Sequence, residues 1–291
     1  MPTVVASRKR LSSIIVGVVL AFASTPAAAL AITQKAHSGV VSATFTFHGS
    51  LRHGFSGLRL LIRRSDRVVY DKPIVSGSSI SGGCGKYCQP AGAFPRSQGG
   101  HPSVHLLDLE RAGEPDVVLD LFSGGAHCCT IEQVFRYDAT TRTYLVAERN
   151  FGDFGDRIKD LGHNGRFEFL SADDRFAYAF TDFAASGLPI QILIFRAGRF
   201  IDVTRHYRSL IAKDAAMWLN DFKRNLSDGV GLIGAWAADE DLLGHNALVQ
   251  RTLAVELRRG NLHSALVGGG GSGRKFLSKL NRFLRKYGYL H

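Results

Sequence analysis

The sequence predicts an α+β fold that is mainly β: N-terminal β-hairpins and two β repeats of propeller-blade size, followed by a C-terminal helical region. Three observations predict it. Apolar and polar residues alternate early in the chain, an acidic segment recurs after about 50 residues, and helical spacing begins after residue 203. The expected division is a signal peptide at 1–31, β-hairpins with a cysteine-containing loop at 32–100, β repeats at 101–203 and helices at 204–291.

The N-terminus has the three parts of a secretory signal peptide. Three basic residues, Arg8 to Arg10, precede an apolar stretch of 13 residues from Leu11 to Ala23. Small residues then offer cleavage after Ala29 or Ala31. The alternative, an uncleaved membrane anchor, needs roughly 20 continuous apolar residues. We therefore expect a secreted or cell-envelope-associated protein.

The formal net charge of +11 is unevenly distributed along the chain. Residues 8–10 supply +3 and residues 251–291 supply +8, so the segment between them is neutral. Nucleic acid is a poor partner for an exported chain. Residues 274–291 therefore point to anionic lipid or wall polymer, or to a solvated basic face without a partner.

The chain has four cysteines, Cys84, Cys88, Cys128 and Cys129. An even number in an oxidising compartment favours two disulfides. We expect bridges from the Cys84/Cys88 loop to the Cys128-Cys129 turn, with the pairing open. A metal site that includes His127 and a cysteine nucleophile are the alternatives, and neither has the usual spacing or partner.

Several segments read as strands. Val41, Ala43, Phe45 and Phe47 fall on one face of the first. Residues 58–63 and 68–70 flank a polar turn at 64–67 and form a predicted hairpin. Further strands are expected at 132–137, 143–148, 176–180 and 191–195.

The internal repeat consists of two acidic segments 52 residues apart, 108–116 and 160–168, each followed by an apolar run. Both segments have aspartate first, leucine second, glycine sixth and a carboxylate ninth. Each copy therefore reads as an acidic turn that leads into a strand. A repeat of about 50 residues with about four strands has the size of a propeller blade.

These two turns resemble the calcium loops of FG-GAP/VCBS repeats, whose pattern is D-x-[DN]-x-[DN]-G-x-x-[DE], and Phe154-Gly155 resembles that family's Phe-Gly. More broadly, the chain from Leu106 to about Arg205 resembles a group of secreted actinobacterial proteins. The resemblance implies calcium ligands in two degenerate loops: Asp108, Glu110, Asp116, Asp160, Asn164 and Glu168. Each loop lacks one ligand, with Ala112 or Gly162 in its place. The alternative is that the acidic residues form Asx-turns.

The C-terminal region has helical spacing. Thr204 is a predicted N-cap for a helix that ends near Phe222, and further helices are expected at 232–243 and 247–257. After the glycines at 268–271, a last basic amphipathic helix is expected. Its apolar stripe could dock on the body of the protein, or the helix could attach to an anionic surface.

The sequence contains no G-x-S-x-G elbow, no H-E-x-x-H motif and no Walker loop. Asp173-Asp174, or His127 near Asp120, could begin an enzyme interpretation, but neighbouring strand residues point to opposite faces. We therefore expect a secreted non-enzymatic binding or interaction module. A secreted hydrolase and an envelope-attached structural protein are the alternatives.

Overall fold

The computed structural model describes residues 31–77, 88–93, 101–125, 128–264 and 271–290. The chain is mainly β, with 39% strand and 29% helix, and it ends in a helical region. This confirms the predicted fold class at that level. Residues 1–30, Cys84 and His127 lie outside the described residues, and so does most of the loop around Cys84. Within the described part, no helix is long and apolar enough to cross a membrane.

The first sheet is an antiparallel meander in the order β1-β2-β3-β4. The predicted alternation holds in β2, where Val41, Ala43, Phe45 and Phe47 are buried. The β3–β4 turn is tighter than predicted: Arg64 pairs with Arg67, and the two residues between them have positive φ, as two-residue hairpin turns require. The strands are β1 (Ile32–Ser38), β2 (Val41–Ser50), β3 (Gly54–Arg64) and β4 (Arg67–Pro73).

The second sheet is built around β7, which pairs with β8 on one side. On its other side it pairs with the short strands β5 and β6 in succession, and β9 completes the sheet beyond β8. Its strands are β5 (Gln89–Pro90), β6 (Val104–Leu107), β7 (Asp116–Gly125), β8 (Cys128–Asp138) and β9 (Thr143–Gly152).

The third sheet is a meander in the order β10-β11-β12-β13. The strand predicted at 176–180 is wrong. Residues 174–176 form a 3-10 turn, and Phe176 and Phe180 are buried against the last helix. The strands of this sheet are β10 (Asp156–Lys159), β11 (Glu168–Ala172), β12 (Ile190–Arg196) and β13 (Arg199–Asp202).

The three sheets stack in chain order, and the second sheet therefore has β7 and β8 buried on both faces. Val117, Leu119 and Leu121 of β7 pack with the first sheet. Val118 and Val134, from the opposite face, pack with Phe169 and Leu193 of the third sheet. A strand covered on both faces reads as a continuous apolar run, and a polar residue within it faces one of the two layers.

In the described part of the C-terminal region, helices α1, α3 and α4 contact α2, which is buried on nearly all sides. Helix α1 begins at Arg208. Thr204 does not cap it, because its hydroxyl oxygen accepts a hydrogen bond from the Ile192 amide and donates one to Asp202. Phe276, Leu280 and Leu284 of α4 are buried in the same core, so the apolar stripe of α4 docks on the body. The helices are α1 (Arg208–Arg224), α2 (Val230–Leu242), α3 (Asn246–Arg259) and α4 (Arg274–Lys286).

Candidate metal centre

A cleft of about 700 Å³ opens between the second and third sheets. Its lining combines apolar and polar side chains with an unusual concentration of titratable groups. We call five of them the cleft cluster: His101, His105, Asp120, Glu132 and Asp156.

Strand pairing brings three members of the cleft cluster together on the second sheet. Asp120 of β7 and Glu132 of β8 are directly opposite each other in the antiparallel register. His105 of β6 pairs with Val118, two residues before Asp120, so all three side chains share one face. Asp120 is 4% exposed and Glu132 is 3% exposed. Burial of two carboxyl groups side by side costs free energy unless a partner compensates them.

Two histidines meet at one carboxylate oxygen. Nε2 of His105 lies 2.9 Å from Oδ2 of Asp120, and Nδ1 of His101 lies 3.1 Å from the same oxygen. His101 precedes β6, and its Nδ1 is also 3.1 Å from the carbonyl oxygen of Pro102. The ligand atoms of these three side chains all lie within 4.8 Å of one another.

Asp156 enters the cleft cluster from the third sheet, at the start of β10. The preceding Phe-Gly-Asp-Phe-Gly segment turns the chain with positive φ at Gly152 and Gly155. A Cβ atom at Gly155 would lie 3.0 Å from Oγ1 of Thr130, and the Gly155 carbonyl oxygen accepts a hydrogen bond from the Ser171 hydroxyl. Glycine at this position thus lets the chain pass close to β8 before β10 begins.

The charges of the cleft cluster are strongly interdependent. Burial works to raise the pKa of Asp120, but hydrogen bonds from His101 and His105 hold it at about 2. The hydrogen bond to Asp120 raises the pKa of His101 to about 9. Burial, followed by the negative charge of Asp120, raises the pKa of Asp156 to about 7 and that of Glu132 well above its usual range. Strongly perturbed groups in a cleft are typical of functional sites.

The histidine–Asp120 geometry suits a transition-metal ion. In a tetrahedral site with bonds of 2.0–2.1 Å, neighbouring ligand atoms lie about 3.3 Å apart. The two nitrogen–oxygen distances of 2.9 and 3.1 Å need to lengthen by only a few tenths of an ångström to match this edge. Two imidazoles and one carboxylate suit Zn²⁺ and neighbouring divalent ions, and a cleft leaves a coordination position for water or a ligand.

The two predicted calcium loops have the same geometry. In the first, the carboxylate of Asp108 accepts hydrogen bonds from the amides of residues 112 and 113, at 2.8 Å each. In the second, Asp160 accepts from the amides of residues 164 and 165, at 2.9 and 2.8 Å. The residues three and five positions after each aspartate have positive φ. The repeat therefore recurs as a backbone turn that the aspartate closes.

Three of the other predicted calcium ligands have hydrogen-bond or ion-pair partners within the protein, and the fourth, Asp116, is buried. Glu110 pairs with Arg136 at 3.2 Å, and Glu168 accepts a hydrogen bond from the Leu161 amide at 2.8 Å. The side chain of Asn164 accepts from the Arg166 amide at 2.9 Å. Burial raises the pKa of Asp116 to about 7. Calcium at these loops stays a prediction, and it would compete with these contacts.

Of the four cysteines, the structure describes the side chains of Cys88 and Cys129. Both are 1% exposed, and both are disulfide-bonded. The pairing with Cys84 and Cys128 involves side chains outside the described part of the chain, so the bridges between loop and turn stay a prediction.

Asp173 and Asp174 have separate surroundings. The carboxylate of Asp173 accepts from Arg175 Nε at 2.7 Å and from the Tyr289 hydroxyl at 2.7 Å. A Cβ atom at Gly152 would meet the carboxyl group of Asp174, which packs there. The two carboxyl groups therefore serve different local contacts.

Sequence reasoning considered Asp120 only beside His127 and did not find the cleft cluster. Its members are separated by up to 55 positions, and they come from two sheets and from the segment before β6. One signal was present: Asp120 and Glu132 interrupt apolar strands that are otherwise buried, and a buried carboxylate is an informative observation. The two histidines four residues apart, just ahead of these strands, were the second signal.

The protein is thus an antiparallel β protein with a C-terminal helical region and a cleft lined by histidine and carboxylate side chains. No known family matches the chain, and no solved structure matches it. A probable thylakoid lumen protein of Synechocystis sp. is 27% identical over 48% of this chain and 44% of that protein. An uncharacterized protein of Sinorhizobium fredii is 27% identical over 49% of this chain and 23% of that protein. The matches thus span less than half the length of either relative.

Proposed function

We propose that this protein is an exported, non-enzymatic binding protein whose cleft holds one divalent transition-metal ion on His101, His105 and Asp120. One observation carries the proposal: two imidazole nitrogens converge within 3.1 Å on a single carboxylate oxygen. Both histidine side chains reach solvent, while Asp120 is buried, so an ion could enter from the cleft and bind a fixed carboxylate.

Export is supported by two independent features. The N-terminal sequence has the basic, apolar and small-residue parts of a signal peptide. The Synechocystis relative is a probable thylakoid lumen protein, and the thylakoid lumen is a compartment outside the cytoplasm. Both are compatible with a protein that works outside the cytoplasm.

We also propose that the scaffold derives from FG-GAP/VCBS-like repeats. The support is the matching hydrogen bonds of Asp108 and Asp160, together with two successive sheets that each contain a meander. In this proposal the cleft lies between two such units, as ligand sites between packed elements commonly do.

Zinc titration tests the proposed ion. The full chain is purified without a polyhistidine tag, stripped with a chelator and titrated with Zn²⁺ by calorimetry. We expect one ion at the histidine site, and we expect His105→Ala to weaken binding at least about 100-fold, the upper end of the cost of losing an outer-shell partner. His206→Ala, an exposed histidine in the turn before α1, is the matched control. Equal affinity in both variants, or no zinc binding by the wild type, would refute the proposal.

A second candidate function is attachment to an anionic envelope surface, either lipid or wall polymer. It is favoured by the basic face of α4, where Arg274, Lys275, Arg282, Arg285 and Lys286 are exposed. Because the apolar stripe of α4 is buried in the protein core, the contact would be electrostatic and would weaken with salt.

Co-sedimentation with phosphatidylglycerol vesicles or teichoic acid tests this attachment. Deletion of residues 274–291 would remove core side chains, so the better variant is the double charge reversal Arg282→Glu and Arg285→Glu. We expect wild-type binding at low salt and its loss in the variant. Binding that is equal in both proteins, or absent in both, contradicts attachment through α4.

A further inference from the structure

We infer that a groove between α1 and the third sheet binds a long-chain carboxylic acid, with the hydrocarbon chain on its apolar floor and the carboxylate at Lys159 and Lys213. The groove has a volume of about 680 Å³, and none of the three proposed zinc ligands lines it. The inference therefore goes beyond the proposed function. We call this site the α1 groove, and its apolar floor consists mainly of Leu161, Leu170, Leu210 and Met217.

The sheet side of the α1 groove is the face of the third sheet that points away from the second sheet. Phe169 of β11 packs toward the second sheet, so the next residue, Leu170, lies on the opposite face. Lys159 of β10 pairs with Glu168, two residues before Leu170, and therefore shares that face. Strand alternation thus places one cation beside an apolar surface.

The helix side of the α1 groove is one stripe of α1. Leu210, Lys213 and Met217 are three and four residues apart, so they lie on the same side of the helix. Ala215 and Phe222, on another side, are buried in the helical core. Met217, in contrast, is 43% exposed. Helix α1 therefore packs one stripe into the core and presents a second, partly apolar stripe to the groove.

The charges of the α1 groove favour an anion. Lys159 and Lys213 are exposed, and neither has an ion-pair partner among the described residues. The acidic lining residue, Asp214, already accepts hydrogen bonds from the Ile190 amide and the Trp218 indole, each at 2.9 Å. The two lysine ammonium groups are therefore available to a carboxylate from outside the protein.

The two ends of the α1 groove differ in charge. Tyr207, the residue before α1, is in hydrogen-bonding contact with Glu168, the cross-strand neighbour of Lys159. Lys159 is therefore close to the N-terminal end of α1, where Lys213 lies in the second turn. Arg224, the last residue of α1, is about 16 Å from Lys213 along the helix axis, and it already has an ion-pair partner on the same helix. The available positive charge is thus at one end of the groove.

A molecule with one anionic end and a hydrocarbon chain matches this polarity. The volume of the α1 groove lies within the range of small-molecule sites, roughly 300–1,000 Å³. The apolar floor favours hydrocarbon because contact removes it from water, and lysine ammonium groups favour carboxylate oxygens. A neutral hydrocarbon would leave both lysines without a partner, and a small hydrophilic anion would leave the floor in water. A fatty acid uses both features.

Binding of dodecanoate to the full chain tests the inference. The ligand is used below its micelle-forming concentration and in the presence of a chelator, so the result does not depend on zinc. Calorimetry gives the stoichiometry, and the fluorescence of Trp218, which donates to Asp214 of the lining, reports on the site. We expect one dodecanoate per chain. Dodecanol, which has the same chain without the charge, should bind about two- to tenfold more weakly.

Three variants locate the head group and the chain. Lys213→Met should weaken dodecanoate binding about two- to fivefold, as loss of one partly solvated ion pair predicts, and leave dodecanol binding unchanged. Lys213 is preferred to Lys159 because Lys159 also lines the cleft. Met217→Asp introduces a carboxylate on the floor and should weaken both ligands at least about tenfold. The control is Lys223→Met, an exposed lysine of α1 outside the groove lining. Circular dichroism verifies folding of each variant.

Each outcome supports or overturns the inference. No dodecanoate binding by the wild type overturns it, and so does binding that Met217→Asp leaves unchanged, because the ligand would then lie elsewhere. Equal affinity for dodecanol and dodecanoate, with no effect of Lys213→Met, overturns the carboxylate recognition. Dodecanoate binding with the expected variant effects supports the α1 groove whether or not the cleft binds zinc.

Discussion

A buried carboxyl group in α2 shows how one residue can set the pH response of the fold. Asp239 is fully buried, and burial, followed by the negative charge of Asp214, raises its pKa from 3.8 to about 10. Asp214 on α1 already accepts hydrogen bonds from the Ile190 amide and the Trp218 indole, each at 2.9 Å. The neutral form of Asp239 can donate to Asp214, so this carboxyl group stays protonated in the folded chain at neutral pH.

The first prediction concerns Asp239→Asn. Above about pH 4 the unfolded chain releases this proton and the folded chain keeps it, so wild-type stability falls as pH rises toward 10. The asparagine amide stays neutral and can still donate to Asp214. We expect the stability of the variant relative to the wild type to grow with pH, by up to about 1.4 kcal/mol per unit.

Urea unfolding at pH 4, 6 and 8 measures this difference. The difference between variant and wild type at pH 4 is the reference, because Asp239 is then still partly protonated in the unfolded chain and fully protonated in the folded chain, so its pH-dependent contribution is smallest there. A stability difference that stays constant from pH 4 to pH 8 would show that Asp239 does not hold its proton in the fold.

At the scale of the elements, the two acidic turns show that the repeat in the sequence corresponds to a repeated hydrogen-bonding pattern in the structure. In each turn one aspartate closes the loop through two backbone amides, at the same offsets from the aspartate. Hydrogen bonds to a charged carboxylate are stronger than neutral ones, although solvent screens the charge at an exposed turn. The shared residues of the repeat therefore have a structural role that needs no ion.

The second prediction compares the two turns. Asp108→Ala and Asp160→Ala should each lower the free energy of unfolding, because each removes the acceptor of two backbone amides in its turn. Thermal unfolding in chelator and in millimolar calcium gives the measurement. If calcium occupies the loops, the wild-type Tm rises with calcium and each variant loses the part of that rise that its own loop contributes. If the turns act alone, calcium leaves all three Tm values unchanged.

At the scale of the whole molecule, the last segment of the chain connects the helices to the β sheets. The hydroxyl of Tyr289 donates to Oδ2 of Asp173 at 2.7 Å across 116 positions, and Arg175 lies over the ring of Tyr287 at 4.4 Å. Phe176, beside this contact, packs edge to face on Phe283 of α4. Polar and aromatic contacts together therefore hold the helical region to residues 173–176, which follow β11 of the third sheet.

The third prediction is that Tyr289→Phe destabilises the protein by about 1.5–3 kcal/mol, because the buried carboxylate of Asp173 loses a donor. Both tryptophans, Trp218 and Trp236, lie in the helical region, so their fluorescence reports on it alone, while circular dichroism also reports on the sheets. We expect both signals to shift together in urea. A shift in fluorescence alone would show that the helices unfold independently of the sheets.

The sequence alone determined the features that depend on short-range patterns. Alternation of apolar residues located β2, helical spacing located the four C-terminal helices, and the repeated aspartate turns located two loops of equal geometry. These features could be read because side-chain period and turn chemistry are local properties of the chain. Phe176 to Phe180 was misread as a strand because its apolar spacing serves contacts with α4, which are long-range.

The tertiary structure alone decided which polar residues share a site. Asp120 and Glu132 become neighbours through strand register, and Asp156 and His101 join them only when two sheets stack and the Phe-Gly turn closes. The same stacking buried Asp120 and Glu132, and burial makes the cleft cluster chemically unusual. A linear sequence records which groups are present, but the free-energy cost of removing them from water depends on what the fold places around them.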